Sequence, residues 1–121
     1  MEKIITINNW WDGALSGLAY YNNMVCIYER IFDDTVDEWS NEYFLTPIDP
    51  EAEKRILDDW ELWKNAVYNN TFDKYYSSNS YDVIDNELKK SDNYHIYRKK
   101  AKFHGKFEKG YIPVEYFVEW F

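Results

Sequence analysis

The residues able to do chemistry fall into four groups. Trp11-Asp12-Gly13-Ala14-Leu15-Ser16-Gly17 sets two glycines, a carboxylate and a hydroxyl within seven residues. Such a stretch could cradle an anion on backbone N–H groups. The Gly-x4-Gly-Lys-Ser/Thr spacing of a nucleotide loop is absent, however, and no helix follows the glycines. A structural role fits better: Asp12 caps a turn, Gly17 admits a close helix, and Trp10 or Trp11 covers the core edge. His95 and His104 would need a neighbouring nucleophile or carboxylate to act. Ser16 is a conceivable partner, and solvent-facing imidazoles are the plain expectation. Asp58, Asp59 and Asp12 carry the oxygen donors that divalent cations take. Adjacent helical residues project about 100° apart, so Asp58 and Asp59 do not line one site, and no metal and no cofactor is expected. Arg98–Lys109 interleaves bases with Phe103 and Phe107. That is the pattern of a strand that stacks bases and touches phosphates, and also of a sheet edge guarded by lysines.

The element best placed to position any of these is the stretch Asp49–Val67. Asp49 is a good N-cap, Pro50 suits the first helical position, and Glu51 and Glu53 face the positive end of the helix dipole. Ala52, Ile56, Trp60, Trp63 and Val67 fall on one face, flanked by Leu57 and Ala66. Asn69-Asn70 stops the pattern. Asp59 breaks the rule by projecting at the edge of the apolar stripe, where a carboxylate needs a donor. A neighbouring tryptophan N–H or a backbone amide is the simplest one.

Around this helix the chain reads as strands. Lys3–Ile7 is short and β-prone. Ala14–Tyr21 and Met24–Phe32 flank Asn22-Asn23, and two asparagines tolerate the positive φ of a two-residue hairpin turn. Mostly apolar residues on both faces make the second segment a central strand. Asp33–Asn41 reads as an acidic loop or helical turn, Glu42–Ile48 as a strand, and Thr71–Ser80 as a polar connection. Ser80–Ser91 reads as a second short helix with Val83, Ile84 and Leu88 inward. Tyr94–Phe107 is a strand interrupted by Gly105, and Val114–Phe121 alternates cleanly. The expectation is an α+β fold: a mostly antiparallel sheet of about five strands with one main amphipathic helix on a face.

Composition bounds the function. The 121 residues point to a single domain. Aromatics make up 21% of them, with 12 Tyr, 7 Phe and 6 Trp, enough to leave some exposed. A lone cysteine, Cys26, forbids an internal disulfide and a four-ligand zinc site with two distant histidines. The N-terminus lacks a signal-peptide core, and no run is long enough to span a membrane. A soluble, cytoplasmic protein follows. The net charge of −8 is uneven. Glu29–Glu61 holds twelve acids against Arg30, Lys54 and Arg55, whereas Lys89–Lys109 holds eight bases against Asp92 and Glu108. Two such segments usually neighbour each other in a fold. Overall acidity works against nucleic-acid affinity.

Trp11-Asp12-Gly13, Ser16-Gly17, the tyrosine-rich hairpin, Asp59-Trp60 with Trp63, Gly105-x-Phe107 and Val118-Glu119-Trp120 together resemble a family of small, uncharacterised bacterial proteins. Its members open with Trp/Tyr-Asp-Gly-x-x-Ser-Gly and carry an Asp-Trp-x-x-Trp helix. The pieces cover roughly half of the chain, and the polar connection after the helix is shorter than in that family. The resemblance implies a single domain of bacterial or phage origin and brings no activity with it.

The leading expectation is a non-enzymatic interaction protein that docks on a basic protein partner, as an immunity protein or an inhibitor does. Its partner surface would be Asp33, Asp34, Asp37, Glu38, Trp39 and Glu42. A second expectation is a ligand pocket between helix 50–68 and the sheet, with Trp10, Trp11, Asp12, Ser16, Asp59 and Trp63 as binding residues. A third is nucleic-acid binding through residues 98–109.

Overall fold

A computed structural model describes residues 1–71, 80–108 and 112–121, with the side chains of 107 and 108 left aside. Among these the strands are β1 Glu2–Lys3, β2 Asn9–Trp10, β3 Ala14–Tyr21, β4 Met24–Asp33, β5 Glu38–Pro47, β6 Tyr97–Glu108 and β7 Ile112–Trp120. The helices α1 Pro50–Asn69 and α2 Ser80–Leu88 lie between β5 and β6. The fold is α+β, and its sheet is antiparallel in the order β1-β7-β6-β5-β4-β3-β2.

Seven strands stand where about five were expected, and the sheet is rolled rather than open. The reason is the N-terminal segment. Its β1 pairs with β7, with Glu2 opposite Val118, while Ile4 bridges Ala19 of β3 and Asn9 pairs with Ser16. Ile5 and Thr6 donate backbone N–H groups to the Leu18 carbonyl, and Ile4 donates to that of Tyr116. One short segment thus joins both ends of the sheet. Trp120 reinforces the closure, its Nε1 donating to the Tyr20 carbonyl at 3.0 Å. Closure removes the open edges that invite strand addition.

Rolling divides the apolar residues into two cores. Ile4, Ala19, Cys26, Tyr28, Tyr43, Leu45, Tyr116 and Val118 fill the inside, with Phe103 and Trp120 packed against them. Leu18, Ile27, Ile56, Tyr81 and Ile84 form the second core, outside the sheet, where both helices rest on β3 and β4. This is the period-2 alternation of a strand with both faces covered: Cys26 and Tyr28 point in, and Ile27 points out. Burial pushes the Cys26 thiol up to about 12, so it behaves as a small core residue.

Helix α1 follows its local signals. Asp49 Oδ1 accepts from the Ala52 N–H at 2.8 Å, Pro50 begins the helix, and Asn70 ends it in the left-handed region at φ 53°. Ile56, Trp60, Ala66 and Val67 are buried. The Asn22-Asn23 turn has φ values of 50° and 63°, as a twisted two-residue hairpin requires.

Other expectations need correction. Asp33–Asn41 is not a loop: β4 runs to Asp33 and β5 starts at Glu38, so only Asp34–Asp37 turns. Val83 of α2 is exposed, and Tyr81 takes the inward position with Ile84. Gly17 does not admit a helix. A Cβ there would lie 2.2 Å from the Thr6 carbonyl oxygen and 2.7 Å from the Tyr28 hydroxyl. It leaves room for the closing N-terminal segment. Gly105 adopts φ 124°, and β6 continues through it, with the register shift following at Lys106/Phe107. The Thr71–Ser80 connection lies outside the described residues, apart from its two ends.

Candidate functional site

Strand register sets the site. Asn9 pairs with Ser16, Ser16 with Glu29, Glu29 with Phe44, and Phe44 with Arg98. These residues form one row across five strands on the outer face. The neighbouring row, Leu18 and Ile27, is apolar and covered by the helices. The outer face therefore changes from apolar to polar between Ile27 and Glu29.

Above this row sits the turn that leads into β6. The His95 N–H donates to Thr46 Oγ1 at 2.9 Å, and its φ of 52° turns the chain there. The imidazole lies between two rings, Phe44 at 4.0 Å and Tyr94 at 3.6 Å between centroids. Its Nε2 is 2.8 Å from Glu29 Oε2, which also accepts from the Tyr94 hydroxyl at 2.9 Å. The expectation of a solvent-facing His95 is thus overturned. Burial, and then the Glu29 carboxylate, push the Tyr94 hydroxyl well above its ordinary range.

Helix α2 supplies the third wall. Tyr81 is buried, and burial holds its hydroxyl protonated, an effect that a hydrogen bond with Ser16 partly offsets. Asp85 is raised above the ordinary carboxylate value by burial first and by Glu29 second. Its Oδ2 lies 3.5 Å from Lys89 Nζ. Its Oδ1 is buried and accepts no hydrogen bond among the described residues. Between these walls lies a cleft of about 230 Å³, lined by Ser16, Glu29, Arg30, Trp39, Tyr81, Asp82 and Asp85 among others. Arg30 is committed to backbone oxygens: Nε donates to the Ser40 carbonyl at 2.6 Å and Nη1 to that of Asp12 at 3.0 Å.

The residues singled out as binding residues are scattered. Asp59, Trp60 and Trp63 line a separate cleft of about 230 Å³ with Ile7, Asn8, Ser80 and Tyr81. Trp60 and Trp63 stack there at 4.9 Å. Asp59 Oδ2 accepts the Ser80 N–H at 2.8 Å, so this carboxylate caps the start of α2. Trp11 and Asp12 are not on that cleft's wall. Trp11 is 69% exposed, Asp12 forms the turn at φ 50°, and Trp10 packs against the inner core. Ser16 belongs to the other cleft, where it accepts from Asn9 Nδ2 at 2.7 Å and reaches neither histidine. Asp58 pairs with Lys54 instead of joining Asp59. Among the described residues no three His, Cys, Asp or Glu are grouped as a metal would require.

The acidic stretch is a hairpin. Phe32 and Trp39 pair across it edge to face at 5.1 Å, and both are more than a third exposed. Val36 at its tip is 59% exposed. Asp33 accepts from both the N–H and the hydroxyl of Thr35, which holds its carboxyl below the ordinary value. Asp34, Asp37 and Glu38 complete an exposed acidic rim. Glu42 lies further along β5 and bonds Arg98 Nη2 at 2.7 Å.

Sequence reasoning passed over Glu29, Tyr81, Asp85 and His95. One signal was available: Glu29 interrupts the run Val25, Ile27, Ile31 on the outer face of β4. No family model, curated protein or solved structure matches the chain. Among the described residues no helix is long and apolar enough to cross a membrane.

Proposed function

We propose that the chain is a non-enzymatic interaction protein that docks on a basic protein, in the manner of an immunity protein or an inhibitor. The carrying observation is the β4–β5 hairpin, which holds the exposed Phe32–Trp39 pair inside a rim of Asp33, Asp34, Asp37 and Glu38. Exposed aromatics of this kind supply binding energy once a partner desolvates them. The acids around them speed capture of a positive surface. A net charge of −8 acts in the same direction. The bacterial or phage origin and the cytoplasmic setting rest on the sequence reading alone.

The hairpin serves the docking reading better than β6 serves nucleic-acid binding. Arg98 is bonded to Glu42, Lys102 pairs in register with Glu119, and Lys106 with Glu115. The two oppositely charged segments are neighbours, so much of the basic charge is matched within the sheet. The cleft at Asp59 and Trp63 favours a small-ligand reading, but Asp59 is already engaged as a cap.

The test is capture at moderate salt from host lysate, or of the product of the adjacent gene, by the wild type and by a hairpin variant carrying Asp34→Lys and Trp39→Ala. Retention of a basic protein that weakens with salt and is lost in the variant supports docking. Failure of the wild type to hold any basic protein counts against it.

A further inference from the structure

The cleft on β3 and β4 adjoins the hairpin, because Trp39 belongs to both. Its wall carries two carboxylate oxygens in want of a donor. Asp85 Oδ1 is buried and accepts no hydrogen bond. Glu29 spends Oε2 on Tyr94 and His95, which leaves Oε1 without a bond among the described residues. A buried acceptor left unsatisfied is costly, and native structures rarely leave one so. Asp82 adds a third acid. The nearby cations are occupied: Arg30 on two carbonyls, Lys89 on the far oxygen of Asp85, and His95 on Glu29.

A group that fits must donate several hydrogen bonds, carry positive charge and lie flat against an indole. A guanidinium does all three, since its planar fork matches carboxylates and stacks on aromatic faces. An ammonium donates as a point charge and stacks poorly by comparison. We propose that this cleft receives the guanidinium of an arginine side chain of the basic partner, bonded to Glu29 and Asp85 and stacked on Trp39. The inference rests on the docking reading and adds the side chain that the partner presents. A positive group beside Asp85 also relieves the repulsion from Glu29 that raises its pKa.

The test is a titration of the whole chain with agmatine, followed by amide chemical shifts, with n-butylamine as the comparison. Agmatine is expected to move the Ser16, Glu29, Tyr81 and Asp85 amides with saturation, and n-butylamine to move them only at much higher concentration. Asp85→Asn should weaken agmatine binding roughly tenfold or more, the effect of losing one charge-assisted hydrogen bond. Trp39→Ala, on an exposed hairpin, checks the stacking without disturbing the wall. Shifts that are absent, that spread over every acidic surface without saturating, or that persist unchanged in Asp85→Asn overturn the proposal. The two readings fail separately. Agmatine in the cleft with no basic protein captured sinks docking and keeps the cleft. Capture through the hairpin with no agmatine shift keeps docking and sinks the cleft.

Discussion

The inside of the rolled sheet and the cleft outside it are built from the same residue types and treat them in opposite ways. Inside, each buried tyrosine hydroxyl at the closing end finds a carbonyl: Tyr28 donates to Thr6 at 2.8 Å, and Tyr43 donates to Ala14. Burial pushes both hydroxyls far above their ordinary range, so they stay protonated donors. Tyr43, Phe103 and Trp120 meet edge to face, a favourable aromatic arrangement. Outside, Asp85 and Glu29 stand close enough to repel each other, and one buried oxygen has no donor. The inner core spends its polar groups on closing the sheet. The outer cleft keeps acceptors unspent, as binding sites do at some expense in stability.

That contrast can be broken by mutation. The largest effect should come from Leu45→Ala, because Leu45 is wholly buried inside. A loss of about 2–5 kcal/mol is expected, and chemical denaturation measures it. Gly17→Ala comes next, at about 1–3 kcal/mol, because the new methyl would push on the Thr6 carbonyl and the Tyr28 hydroxyl that hold the closing segment. Amide exchange should rise first in residues 4–9. If those amides stay protected, the N-terminal segment is not what closes the sheet. Tyr28→Phe removes one buried donor and should cost about 1–2 kcal/mol.

The smallest effect should have the opposite sign. Asp85 has a raised pKa, so the folded protein holds that proton more tightly than the unfolded chain does. Stability then falls as pH rises from the ordinary carboxylate value through the higher folded one. Asp85→Asn escapes this cost. Its Tm should exceed that of the wild type at neutral pH, and the advantage should vanish in acid below the ordinary carboxylate value. A variant that is less stable at neutral pH would make Asp85 a structural group and erase the distinction between the two regions.

Much of the architecture was legible in the sequence. Asp49, Pro50 and Asn70 mark the ends of α1, and its apolar stripe selects the buried face. Asn22-Asn23 marks the first hairpin, and alternation marks β7. Asp59 was recognisable as a carboxylate in need of a donor. That the donor is the first N–H of α2 was not, because the two are 21 residues apart. Val83 was placed inward because a nine-residue helix offers too few turns to fix its face, and packing on the sheet turned Tyr81 inward instead.

Local signals thus decided α1, the Asn-Asn turn and the alternation of β4 and β7, because caps, turns and side-chain period act within a few residues of one another. Tertiary structure alone decided that the N-terminal segment closes the sheet on both sides, and that Ser16, Glu29 and Phe44 share a row beneath Tyr81 and His95. Glu29 and His95 are 66 residues apart. Only strand register, which a slip of one residue would reverse, brings them to the same face.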